Sequence, residues 1–238
     1  MRTPLFAALA AALLSACVEV TTAPTGPVTG PSAGPVPDRI SSADAVANFR
    51  AAVLRVEPAA ERLCRERSAR DVNCDFLIQV DPNPAAPPNA FQSLDRNGRP
   101  ILTFTRALIA DARNQDEIAF VIGHESAHHI EQHIARQRQS AAAGAVVGGL
   151  IATVAGADRA TVDQISRVGA GVGARSYSRD HELEADRLGT LITARAGYDP
   201  LRGAAFFTSI PDPGDRFLGT HPPNAQRLDV VRRTVSGL

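Results

Sequence analysis

Lysine is absent from the 238 residues, so all 25 basic side chains are arginines, and they balance 25 acidic ones to a formal charge of zero. With no basic surplus to neutralise phosphates, a nucleic-acid partner is not expected. Aromatic residues make up only 5% of the chain, while alanine, glycine and proline are plentiful, a bias that reads as genome composition rather than mechanism. Cysteine occurs three times, at Cys17, Cys64 and Cys74. Long apolar runs are also missing. Leu5 to Leu14 and the uncharged, glycine-broken stretch Ala141 to Ala157 are both too short to cross a bilayer comfortably.

What is present begins with a targeting segment. Arg2, the apolar run and Leu14-Ser15-Ala16-Cys17 predict a lipoprotein signal peptide over 1–16, cleaved before Cys17, which would then carry lipid and tie the chain to a membrane. Residues 17–38 hold Pro24, Gly26, Pro27, Gly30, Pro31, Gly34, Pro35 and Pro37 and read as an extended tether. The remaining 39–238 are long enough for one domain with a sizeable core.

Within that domain, Ser42 is a candidate cap for a helix from Ala43, and Pro58 is expected to start a second helical piece that runs to about Arg67. Cys64 and Cys74 sit close enough in sequence for a disulfide in an exported protein, worth roughly 2 to 3 kcal/mol. Phe76–Val80 and Pro100–Thr105 read as strands, and Asp95-Arg96-Asn97-Gly98 as a hairpin turn, predicting a small antiparallel sheet. Ala141 to Ala157 suits close helix packing or a mobile lid. Helices are further expected over 178–196, from Asp199-Pro200 to Ile210, and over 224–233.

The chemistry centres on His124-Glu125-Ser126-Ala127-His128. On a helix, residues four apart share a face, so both imidazoles can reach one zinc ion while Glu125 stands beside it as a general base. Apolar Ile118, Ala119, Val121, Ile122, Ile130 and Ile134 flank the motif and predict a helix seated in a core. The histidine-rich continuation of metzincins is ruled out, because positions 131 and 134 hold Glu131 and Ile134. A Glu from a later helix is the other common way to supply a third ligand. Glu182 and Asp186 are four apart, so one can bind zinc while the other accepts a ligand ring N–H; Glu184 lies about 160° round from their face. His129 and His133 are expected to point away from His124 and His128, and His181 to be a bystander.

With Ser178-Arg179-Asp180-His181-Glu182-Leu183-Glu184-Ala185-Asp186, Asn89-Ala90-Phe91, Glu117 and His221-Pro222 to Arg227, the motif resembles the HtpX-like gluzincin metallopeptidases over about 40–235. The lipobox makes it most similar to the periplasmic lipoprotein members of the LoiP and BepA type, with no room for a TPR domain. The resemblance implies an α+β, mainly helical zincin-like fold whose small sheet borders the cleft. It implies Zn2+ held by His124, His128 and Glu182, Glu125 as general base and Asp186 orienting a histidine. His221 would stabilise the oxyanion or cap the metal, and Asn89 and Arg227 would place that loop or the substrate. The implied activity is zinc endopeptidase cleavage of unfolded or misassembled envelope polypeptides in a bacterial periplasm, from an outer-membrane anchor. The rival expectation is a latent, chaperone-like assembly factor with a His221-capped site.

Overall fold

A computed structural model of the chain describes residues 41–176, 178–210 and 222–238. The expected signal peptide, Cys17, the tether and His221 lie outside the described residues.

The first helix, α1, spans Ser42–Arg67, one residue earlier than expected, because the Ser41 side chain caps it by accepting from the Asp44 N–H at 3.1 Å. Pro58 lies inside α1 rather than starting a second helix. Proline removes one backbone donor, but Val56, Ala59, Ala60 and Leu63 around it are buried, so core packing holds the helix through the defect. Cys64 and Cys74 are bonded, their Cα atoms 5.7 Å apart, and fasten the end of α1 to the segment that enters the sheet.

Strands β1 (Leu77–Val80), β2 (Ala90–Leu94) and β3 (Pro100–Phe104) form one sheet in the order β1-β3-β2. The hairpin between β2 and β3 is as expected: Asp95 accepts from the backbone of Asn97 and Arg99, and Gly98 takes φ 77°. The expectation of a purely antiparallel sheet is corrected, since β1 runs parallel to β3 and the sheet is mixed. Side-chain alternation is the same in either direction. Strand direction is decided by the connection, and here residues 81–89 carry the chain past β3 instead of folding it back beside β1. The strand β2 is thereby left at an edge.

After α2 (Arg106–Asp111), the motif helix α3 (Gln115–Ile130) starts at Asn114, whose side chain accepts from the Glu117 N–H. Glu117 then reaches back to the Arg113 backbone and guanidinium, at 2.7 and 3.0 Å, closing the turn into α3. Every residue from Glu117 to Ala127 is buried, so α3 is the central helix of the fold rather than one with a single apolar stripe. Around it pack α1, the sheet and α6 (Ser178–Arg195); α7 (Pro200–Ala204) lies against it as well, and a final helix α8 (Asn224–Val235) leans on α6. Phe49, Val56, Phe76, Phe104, Ile118, Ile122, Leu188 and Ile192 form the shared core. The expected helix to Ile210 is shorter: a 3-10 turn, Ala205–Thr208, replaces its second half and buries Phe206 and Phe207.

Ala141 to Ala157 belongs to a helical hairpin of α4 (His133–Val154) and α5 (Arg159–Ser176). Glycine brings their backbones together: a Cβ on Gly144 would overlap the Gly169 carbonyl, and one on Gly148 would come within 2.8 Å of the Ile165 carbonyl. The outward faces are apolar, with Val146, Val147, Leu150, Ile151 and Val154 exposed. No helix among the described residues is long and apolar enough to cross a membrane.

Candidate active site

Helices α3 and α6 cross where both lack side chains. A Cβ on Gly123 would lie 2.9 Å from the Gly189 carbonyl, and one on Gly189 would lie 2.9 Å from the His124 nitrogen. This approach sets Glu182 and Asp186 of α6 against the histidines of α3.

The Nε2 atoms of His124 and His128 are 3.0 Å apart, and Glu182 oxygens lie 3.5 Å from the first and 3.4 Å from the second. Ligands about 2.05 Å from a tetrahedral zinc ion stand roughly 3.3 Å from one another. These three separations fit that geometry, and no other group of three His, Cys, Asp or Glu side chains among the described residues is similarly gathered. The rear nitrogens agree. His124 turns Nδ1 to Asp186 Oδ1 at 2.9 Å, and His128 turns Nδ1 to His133 Nδ1 at 2.8 Å, so both Nε2 lone pairs face inward, toward each other and a carboxylate. Acceptors so arranged call for a cation between them.

The electrostatics of these side chains say the same. Burial disfavours charge on His124, but its bonds to Asp186 and then Glu182 outweigh this and raise its pKa to about 10. Burial, and then the charge on His124, push His128 down to about 3. The two shifts run in opposite directions, so the pair does not carry a charge on both rings at once. Asp186 is fully buried, and burial alone would lift its pKa; Arg227 holds it below the usual carboxylate range through bonds of 2.7 and 2.8 Å to its two oxygens. Arg227, expected to place a loop or substrate, is thus engaged with Asp186, and its guanidinium lies 3.7 Å over the Phe207 ring.

Glu125 is only 8% exposed and lines two cavities that meet at His124 and Glu182. One, about 250 Å³, is bordered by Ala90, Phe91 and Gln92 of the edge strand β2 and by His181. The other, about 240 Å³, is apolar, with Leu108, Val121, Phe206, Phe207 and Ile210. Asn89 borders the second; its backbone is fixed by an N–H donated to the Thr105 hydroxyl at 2.9 Å.

One of the two histidines expected to point away from the site stands differently. His129 does turn away, its Nε2 2.7 Å from the Asn73 carbonyl, but His133 does not. The helix breaks at Gln132, which adopts a left-handed φ of 54°, and α4 sets off from there with His133 folded back over His128. Neither glycine nor proline marks the break, so nothing local announced it. His133 Nε2 meets Glu184 at 3.1 Å, Arg136 pairs with the same carboxylate, and His181 stacks on His133 with ring centres 4.4 Å apart.

The comparisons with known proteins meet this geometry. The chain is 31% identical over 165 residues to the mitochondrial metalloendopeptidase OMA1 of Saccharomyces cerevisiae, covering 64% of this chain and 45% of that one. It is 30% identical over 140 residues to a beta-barrel assembly-enhancing protease of Yersinia pestis, and 29% over 142 residues to that of Escherichia coli, covering 53% of this chain each time and 29% and 28% of theirs. The chain therefore spans less than half the length of these relatives. A family match, in contrast, takes in residues 56–235, from the middle of α1 to the end of α8, and so contains all the described residues that line the two cavities. With two imidazoles and a glutamate disposed for one zinc ion inside that span, the chain belongs to peptidase family M48.

Proposed function

We propose that this protein is a lipid-anchored periplasmic endopeptidase of the HtpX-like branch, close to the LoiP and BepA type, which cleaves unfolded or misassembled envelope polypeptides. The observation that carries the peptidase half of this reading is the placing of Glu125 and the His124, His128 and Glu182 ligand atoms at the floor of a cleft walled by an edge strand. The relatives named as assembly-enhancing proteases support the envelope half, together with the lipobox ending at Cys17.

An edge strand recruits a polypeptide by main-chain hydrogen bonds, which only an extended segment can offer. Along β2, residues Ala90 to Gln92 present that edge to the cleft, so a folded domain is a poor substrate and an unfolded chain a good one. When bound, zinc supplies Lewis-acid polarisation of the scissile carbonyl and a lowered pKa for the attacking water. Glu125 accepts the proton of that water and returns it to the leaving amine. Asp186, gripped by Arg227, keeps the His124 ring turned so that Nε2 faces the cleft. The apolar cavity beside Glu125 receives a side chain next to the cleaved bond.

The test is digestion of unfolded casein by the purified protein with and without a zinc chelator, alongside metal analysis. Chelator-sensitive cleavage with one zinc per chain is expected. A zinc-loaded protein that never cleaves, even with His221→Ala, would establish the latent assembly factor instead. Fractionation of cells carrying Cys17→Ala tests the anchor, and an unchanged membrane association would remove it.

A further inference from the structure

A histidine that ligates through Nε2 keeps its proton on Nδ1, and when buried that N–H needs an acceptor. For His124 the acceptor is Asp186. For His128 it is a second imidazole: His133 Nδ1, 2.8 Å away. Two facing nitrogens share a single proton, and with His128 as a ligand that proton belongs to His128. His133 must then accept at Nδ1 and carry its own proton on Nε2, which is where Glu184 Oε2 waits at 3.1 Å. Glu184 is in turn held by the Arg136 guanidinium, and the His181 ring lies nearly parallel to His133, tilted by 12°. Donor and acceptor alternate without conflict from the ligand outward.

We propose that His133 is a positioning residue of the metal centre: it locks His128 in the Nδ1–H tautomer with its Nε2 lone pair aimed inward, and Glu184, fixed by Arg136, locks the tautomer of His133. The proposal rests on the metallopeptidase reading of the site. The backbone supports it independently. A left-handed residue other than glycine is unfavourable alone, and at Gln132 it accomplishes one visible thing, bringing His133 back onto His128. The two ligand histidines are thus supported by unlike partners. His124 has a buried carboxylate–arginine pair, whereas His128 has a neutral imidazole backed by a half-buried carboxylate. Because His133 and Arg136 belong to α4 and Glu184 to α6, the support also closes the gap left by the break after α3.

The experiment measures the zinc dissociation constant of the whole protein by competition with a chromophoric chelator, and kcat and KM in saturating zinc. It compares wild type with His133→Leu, His133→Asn and Glu184→Leu, with thermal unfolding of each zinc-free variant as the control for folding. Removing an outer partner of a zinc-binding histidine typically weakens binding about 10- to 100-fold, and that loss is expected for His133→Leu with KM unchanged. His133→Asn offers an amide oxygen to the His128 N–H and should recover most of the affinity. Glu184→Leu should lose affinity by a smaller factor. A folded His133→Leu with wild-type zinc affinity overturns the proposal, as does equal loss in His133→Leu and His133→Asn. If His133→Leu does not fold, a Glu184→Leu variant that binds zinc like wild type overturns it instead. Wild-type protein that takes up no zinc would refute the metallopeptidase reading itself, a result distinguishable from all of these.

Discussion

Gly123 on α3 and Gly189 on α6 touch backbone to backbone, and the metal ligands are brought together because neither residue has a side chain. A methyl group at Gly189 would meet the His124 nitrogen at 2.9 Å and its Cα at 3.0 Å, main-chain atoms that cannot swing aside. Gly189→Ala should therefore push α6 outward with Glu182 and Asp186, costing about 1 to 3 kcal/mol and weakening zinc binding. Gly171→Ala, on the exposed side of α5 with nothing within 4 Å, is the control and should be neutral or slightly stabilising. Urea unfolding and zinc competition on both variants check this, and equal behaviour would show that the close approach is unimportant.

Glu125→Gln keeps the shape of the side chain but cannot accept a proton. Since His124, His128 and Glu182 are untouched, zinc content should stay at the wild-type level while kcat falls by about 10²- to 10⁴-fold. Digestion of casein at the wild-type rate by this variant would remove Glu125 from the mechanism.

Removing Arg227 takes from a buried carboxylate the partner that grips both its oxygens and leaves it only His124. Asp186 is fully buried and bonded through both oxygens to that guanidinium, so Arg227→Met should destabilise the zinc-free protein by roughly 3 to 5 kcal/mol. Asp186→Asn combined with Arg227→Met should cost clearly less than the two single changes added together, because Asp186→Asn removes the charge from which Arg227→Met took its partner. Additive losses in equilibrium unfolding would mean that the two side chains contribute independently.

Zinc must displace a proton. With His124 raised to about 10 and His128 lowered to about 3, the metal-free pair carries its proton on His124 at neutral pH. Binding at pH 7 to 9 should release close to one proton, and affinity should rise about tenfold per pH unit until the pH approaches 10. The sign for folding is the reverse. A value raised above the ordinary 6.5 stabilises the metal-free fold fully below about pH 6.5, and this contribution is lost as the pH rises through about 10. Calorimetric titration in buffers of different ionisation enthalpy reads the proton directly; no release at pH 7 would contradict the assignment.

The site was legible in the sequence to the extent that its geometry is local. His124 and His128 are four apart on a helix, Glu182 and Asp186 four apart on another, and each spacing puts its pair on one face whatever surrounds it. The same holds for the turn at Gly98, the cap at Asp199 and the short cysteine spacing. Residues whose partners come from elsewhere could not be read this way. Arg227 meets Asp186 across 41 residues, and Glu184 meets His133 across 51.

By itself the sequence determined which residues could share a metal site, since ligand type and helical period are properties of the chain. Only the tertiary structure decided the direction of β1, the continuity of α1 through Pro58, the break at Gln132 and the placing of His133 behind His128. Each of these depends on a choice between local conformations that the sequence alone leaves close in energy, and long-range packing makes the choice. At Gln132 that packing holds a backbone shape which no glycine or proline had signalled, and it turns a histidine that a continuous helix would point away into a neighbour of the metal site.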